Sequence, residues 1–353
     1  METFLQQLIN GISQGSAYAL IALGYTMVYG VLRLINFAHS DVYMVGAFMG
    51  YYLANAGWVQ TTFGTSVFAA VVIMIGAMAL CACLGMLIER FAYRPGRSPA
   101  PFTLSFWFAI LGAGFGQLAR ATMASVLLGA AAGAVVGYGL EKIGLRPKRQ
   151  ASHLKLLIVA IGVSLFLENG GQLVFGADPK FFPPVIPTRS LNVGGLSLDS
   201  QKLTVLGVAI VLMILLNVIV NYTKTGKAMR AVSFNLDAAK LMGINTDRII
   251  AFTFALGSAL AGAGGILVSL LYPRIDPLMG VMPGLKAFVA AVLGGIGNIT
   301  GAMLGGLIIG LAEVMAVGYG QSTYRDAIAF VILVLILLVR PTGIMGKGMV
   351  EKV

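Results

Sequence analysis

The sequence predicts an all-α polytopic membrane protein of about ten transmembrane helices, one of them broken or half-length. Three observations carry that reading. Apolar residues make up 58% of the chain and charged ones 10%, with a mean hydropathy of +0.90, outside the range of soluble domains. Apolar runs of about twenty residues recur, each long enough to cross a bilayer as a helix. The ten-residue alternation of a membrane β-barrel is absent. The 46 glycines fit closely packed membrane helices, in which small residues let backbones approach.

Eleven apolar runs follow one another: 4–29, 41–56, 67–89, 102–118, 122–140, 154–176, 203–221, 249–271, 281–296, 301–317 and 327–339. One must be a half-helix, and 281–296 is the choice, being short, glycine-ended and interrupted by Lys286. No leader-cleavage pattern stands at the start, so the first run reads as a retained helix. Cys81 and Cys83 lie two apart in one apolar run. A local disulfide is disfavoured there and metal ligation lacks partners, so both read as core thiols.

Orientation follows from the basic residues. The net charge of +11 could suggest nucleic acid, but in a polytopic chain the question is where Lys and Arg fall. Seventeen lie on one side, in the segments around 33, 90–97, 142–155, 224–248 and 340–352; six lie on the other, and Lys286 sits inside a run. The richer side is cytoplasmic by the positive-inside rule, which puts the N-terminus outside and the C-terminus inside. Trp58, Phe181, Phe182, Tyr272, Tyr319 and Tyr324 then fall near outer ends as an aromatic belt. Residues 178–202 form the longest outer loop, either a surface for an external partner or a solvated connection.

Two polar interruptions cut apolar stretches. Asn36, His39 and Asp41 mark the first; Gly294, Gly295 and Asn298 mark the second. Paired breaks of this kind point to a midplane transport site between inverted repeats. His39 reads as a hydrogen-bonded member of its break, with metal ligand or proton carrier as the alternatives. Within the runs, Glu168, Asn169 and Gln172 lie on successive turns of one helix, Glu313 lies in 301–317 and Lys286 in the half-helix. Such groups are costly in lipid unless paired or facing water. They mark either a translocation path, with Lys286 paired to Glu313 or Glu168, or glue between helices. No catalytic set, metal-ligand set or phosphate-cradling GxxxxGK[ST] is present. The run from Gly295 to Thr300 begins like a dinucleotide fingerprint but lacks its last glycine and follows a helix.

The longest polar break is 224–248, basic through Lys224, Lys227, Arg230, Lys240 and Arg248, with Asp237 and Asp247 as its acids. Its apolar residues allow short amphipathic turns, and Gly243 reads as a helix stop. Within it, Asp237-Ala238-Ala239-Lys240-Leu241-Met242-Gly243 resembles the Glu-Ala-Ala-x-x-x-Gly loop of ATP-binding-cassette importer permeases, with Asp in place of Glu. Segments 225–231, 242–252, 36–41 and 284–306 resemble the permeases for branched-chain amino acids, the LivH type.

The resemblance implies a non-enzymatic transport subunit of the bacterial inner membrane. Its expected partners are a second homologous permease, two cytoplasmic ATPases and a periplasmic amino-acid-binding protein. The ATPases, docked through Arg230, Asp237, Ala238, Ala239 and Gly243, would hold ATP and Mg, leaving no cofactor on this chain. Related permeases pass almost directly from a sequence like Tyr93-Arg94-Pro95 to one like 156–166, so 96–151 reads as an inserted membrane hairpin. Its Gly129, Gly133 and Gly137 repeat every fourth residue, a close-packing face. Other readings are a permease for urea, amides or other amino acids, an ion-coupled secondary transporter using Glu168 or Glu313, and a membrane enzyme.

Overall fold

A computed structural model describes residues 2–33, 35–94, 153–186, 190–193, 196–320 and 322–346. The hairpin expected at 96–151 lies outside the described residues. The chain divides into two compact units, 1–86 with 160–353, and 87–159. Of the second unit only its two stems are described: the end of a helix that tightens into a π-turn at Glu89–Tyr93, and the first residues of another.

The helices are α1 (Glu2–Leu32), α2 (His39–Ala54), α3 (Gly57–Phe63), α4 (Val67–Ile88), α5 (His153–Phe175) and α6 (Ser200–Tyr222). They continue with α7 (Lys224–Phe234), α8 (Leu236–Leu241), α9 (Thr246–Leu271), α10 (Val281–Gly294), α11 (Ile299–Tyr319) and α12 (Arg325–Val339). Two small antiparallel ladders join them. Strand β1 (Lys180–Phe181) pairs with β4 (Arg274–Ile275), and β2 (Ser190–Val193) with β3 (Leu196–Asp199). Seven described helices are long and apolar enough to cross a bilayer.

Helices α1 and α9 form the centre of the first unit. Their most apolar windows are 83% and 72% buried, against 28% for α6 and 6% for the helix ending at Val339. The peripheral pair shows Val211, Ile214, Val334 and Leu338 on its surface, as lipid-facing helices do. Lipid tails are as apolar as leucine, so α1 is held by close packing more than by a hydrophobic drive. Gly306 and Gly310 of α11 lie directly against Ala19 and Gly15 of α1, where any Cβ would overlap backbone. Gly46 of α2 meets Gly262 of α9 in the same way.

Helices α2 and α10 are half-length. At 1.5 Å per residue, their 16 and 14 residues span about 24 and 21 Å, less than the ~30 Å hydrocarbon core. The expected half-helix at 281–296 is therefore present, and α2 is a second one. The segment after α1 climbs back, so that His39 lies against Gly24, two turns short of the α1 end.

The turn between α10 and α11 is sealed by the C-terminal segment. Ile344 N donates to Leu293 O at 2.8 Å and Met345 N to Gly294 O at 3.0 Å. Gly295 has φ +101, open to glycine at no steric cost, and packs on Gly343 and Gly346. Two surface expectations are corrected. Phe182 is buried against Gly50 and does not belong to the exposed aromatic belt. Cys83 is exposed on α4, while Cys81 alone is a core thiol, its Sγ 3.7 Å from Val42 O.

Candidate functional site

The first polar feature is where the two half-helices begin. Gly280 and Gly284 of α10 pack directly on Ser40 at the start of α2, so two helix N-termini meet inside the bundle. Around them, Asn36, His39 and Asp41 are all buried. His39 Nε2 lies 3.1 Å from Ile21 O; a carbonyl only accepts, so this nitrogen carries the proton. Its ring meets Tyr25 edge-on at 4.7 Å. Ser164 of α5 donates to Asp41 Oδ2 at 2.5 Å. Glu168 is one turn beyond Ser164 on the same helix face and half-buried, as is Gln172 a turn later.

The second is an ionic cluster at the face where α1 begins and α9 and α11 end. Glu313 Oε1 takes Lys286 Nζ at 3.0 Å and also pairs with Arg325 Nε. Lys286 reaches Asp326 Oδ1 at 2.6 Å as well, so two cations and two carboxylates alternate. Burying a lone charge in such a bundle is prohibitive; a neutral four-membered cluster is not. A hydrogen-bonded chain leads away from it: Arg325 Nη2 to Tyr272 OH at 3.0 Å, Tyr272 OH to Gln14 Oε1 at 3.0 Å, and Gln14 Nε2 to Tyr18 OH at 2.9 Å. Beside this chain a cavity of about 260 Å³ opens, bordered by α1, the end of α9, α11 and Arg325.

The third is the polar knuckle. Thr223 and Asn235 cap α7 and α8, accepting from Gly226 N and from Asp237 N and Ala238 N. Gly243 ends α8 with φ +81, a left-handed position that suits glycine. Val232 and Ala239 face inward, while Phe234, Leu241 and Met242 are 87%, 89% and 82% exposed. These three bare apolar side chains stand in a segment of polar helices, unlike the lipid-facing apolar residues of the long spans.

With these features in place, residues 7–113 and 100–337 match the family described as the branched-chain amino acid transport system, permease component. The chain belongs to that family. LivH, the high-affinity branched-chain amino acid transport system permease protein of Escherichia coli (strain K12), is 36% identical over 363 residues, covering 99% of this chain and 98% of its own. LivH of Salmonella typhimurium is 37% identical over 355 residues, and BraD of Pseudomonas aeruginosa, a permease of the same description, 36% over 354. No solved structure matches the chain.

On this permease the residues singled out in the sequence fall into separate groups. Asn36, His39 and Asp41 lie together beside Ser40, on which Gly280 and Gly284 pack, so their break faces the start of α10 and not its end. Gly294, Gly295 and Asn298 form the sealed turn instead, with Asn298 capping α11 and donating to Met345 O at 2.9 Å. Lys286 takes Glu313 and Asp326 as partners, not Glu168. Asp237 and Ala238 are exposed, as a docking role needs, whereas Ala239 is buried. Arg230 turns back to donate to Val220 O at 2.7 Å and Asn221 Oδ1 at 3.1 Å, closing the C-terminal end of α6. Sequence reasoning did not pick out Phe234, nor Leu241 and Met242 beyond their place in the knuckle motif, nor Asp326 and Arg325. The first three could have been found, being apolar residues on the outer side of short amphipathic turns.

Proposed function

We propose that the chain is the permease subunit of an ATP-driven importer moving branched-chain amino acids from periplasm to cytoplasm. The observation that carries this is near-complete coverage of relatives that are permeases of branched-chain amino acid transport, at 36–37% identity. The subunit sits in the bacterial inner membrane, N-terminus periplasmic and C-terminus cytoplasmic, with the basic 224–248 side inward. It works with a second homologous permease, two cytoplasmic ATPases that hold ATP and Mg, and a periplasmic binding protein. Phe234, Leu241 and Met242 enter the ATPase groove while Asp237, Ala238 and Gly243 shape the knuckle; Arg230 ties that knuckle to α6. Residues 96–151 form a membrane hairpin inserted into the permease.

The test is co-purification of the ATPases with the native chain, with Leu241→Asp and with Gly243→Pro, alongside leucine uptake in vesicles. The native chain brings the ATPases down and both variants lose them together with ATP-driven uptake. Leucine accumulation by this chain alone, with no ATPase present, would overturn the importer reading.

A further inference from the structure

The cavity beside the ionic cluster is unaccounted for by the knuckle or by the meeting half-helices. Its charge is one-sided. Lys202 and Arg325 both border it, and no carboxylate does among the described residues. Arg325 is only partly committed: its side chain is 36% exposed, with Nε on Glu313 and Nη2 on Tyr272. Lys202, at the start of α6, is held by Asp199 at 3.0 Å and still 27% exposed. Asn10 and Gln14 of α1 add amide oxygens on the neighbouring wall, and Val314 and Val317 of α11 supply an apolar one. At about 260 Å³ the space falls just below the usual 300–1,000 Å³ of small-molecule sites, which suits a ligand of amino-acid size.

We propose that this cavity is a seat for the substrate as it enters the permease, resting on the importer reading above. The α-carboxylate of an aliphatic amino acid meets Arg325 and Lys202, a charge-assisted contact that a neutral or cationic solute cannot make. Its ammonium meets the amide oxygens of Asn10 and Gln14, and its branched side chain lies on Val314 and Val317. An anion at Arg325 competes with Glu313 for the same guanidinium. Occupancy therefore loosens the hold of α12 on α11 through that pair. The seat is weak by design of its chemistry, with partly hydrated cations and one apolar wall, as a transit point needs.

The experiment uses the full transporter, with its partner permease, ATPases and binding protein, in proteoliposomes. Leucine uptake and ATP hydrolysis are measured for the native complex, for Lys202→Gln and for Val314→Trp, which fills the space. Both variants raise the ATP consumed per leucine imported by about tenfold. In parallel, Val317→Cys in a Cys83→Ser background is labelled with a charged thiol reagent, and saturating leucine slows labelling several-fold. If the native complex imports leucine while both variants import it at the native ratio, the seat does not exist. If a variant loses uptake and hydrolysis together, the labelling decides: protection supports the seat, and an unchanged rate overturns it. A native complex that imports no leucine rejects the importer reading, a distinguishable failure.

Discussion

The ionic cluster and the polar knuckle break the same rule in opposite directions. One buries Lys286 and Glu313 among apolar helices, with Arg325 and Asp326 half-exposed beside them; the other sets three large apolar side chains among charged ones. Each is costly where it stands, but the costs are met differently. The cluster's charges are balanced within the chain, since Lys286, Glu313, Arg325 and Asp326 neutralise one another, though Glu313 Oε2 is left without a hydrogen-bond partner among the described residues. The knuckle is not: among the described residues nothing covers Phe234, Leu241 and Met242. Internal compensation suits a device that holds helices in register, and missing compensation is what the docking proposed above needs.

The comparison is broken most severely by removing the shared acid. Glu313→Leu leaves Lys286 with the half-exposed Asp326 and strips Arg325 of its carboxylate. A buried pair broken from one side costs about 3–5 kcal/mol, so the purified variant unfolds at markedly lower temperature in detergent. Asp326→Asn removes a partner that is 50% exposed and costs about 1 kcal/mol or less. Equal unfolding temperatures for the two variants would mean that Glu313 is not the hub.

The knuckle has its own internal hold, and it is the next largest effect. Gly226 of α7 lies so close to Ile219 O and Val220 O that any Cβ collides with the end of α6. Gly226→Val therefore costs about 1–3 kcal/mol as local overpacking and lifts α7 away from α6. Limited proteolysis between 222 and 245 checks it, the variant being cut faster than the native chain. Unchanged protection would show that α7 has another seat.

Much of this was legible in the sequence, for reasons that differ by residue. The long spans were legible because a bilayer demands about twenty apolar residues whatever the neighbours are. The half-helix at 281 was legible from its short length, its glycine end and the Lys286 inside it. That α2 is its counterpart was not, because 41–56 looks like an ordinary short span until His39 is seen against Gly24. Nor was the partner of the first break: 294–300 reads as its counterpart, whereas the segment that meets Ser40 is set by where α10 starts in depth. The contacts of Arg230 and Asp326 were hidden for another reason: their partners, Val220 O and Lys286, are set by tertiary placement.

The smallest expected effect sharpens the comparison most. Asp237 and Lys240 form an i,i+3 pair at 3.4 Å, with side chains 89% and 54% exposed. Such a pair is worth about 0.2–0.5 kcal/mol, so Asp237→Asn leaves the unfolding temperature of the permease within error of native. Asparagine keeps the shape and removes only the charge, which Leu241→Asp cannot do. Pull-down of the ATPases with Asp237→Asn at low and at high salt then separates two kinds of docking. Undiminished capture at both means that the apolar trio carries the contact and that aspartate serves here as well as the family's glutamate. Capture lost at high salt alone means that the acid steers a weak encounter, since screening shortens electrostatic reach to about 3 Å at 1 M. Loss at both, with stability unchanged, would make the charge the anchor and demote Phe234, Leu241 and Met242 to bystanders.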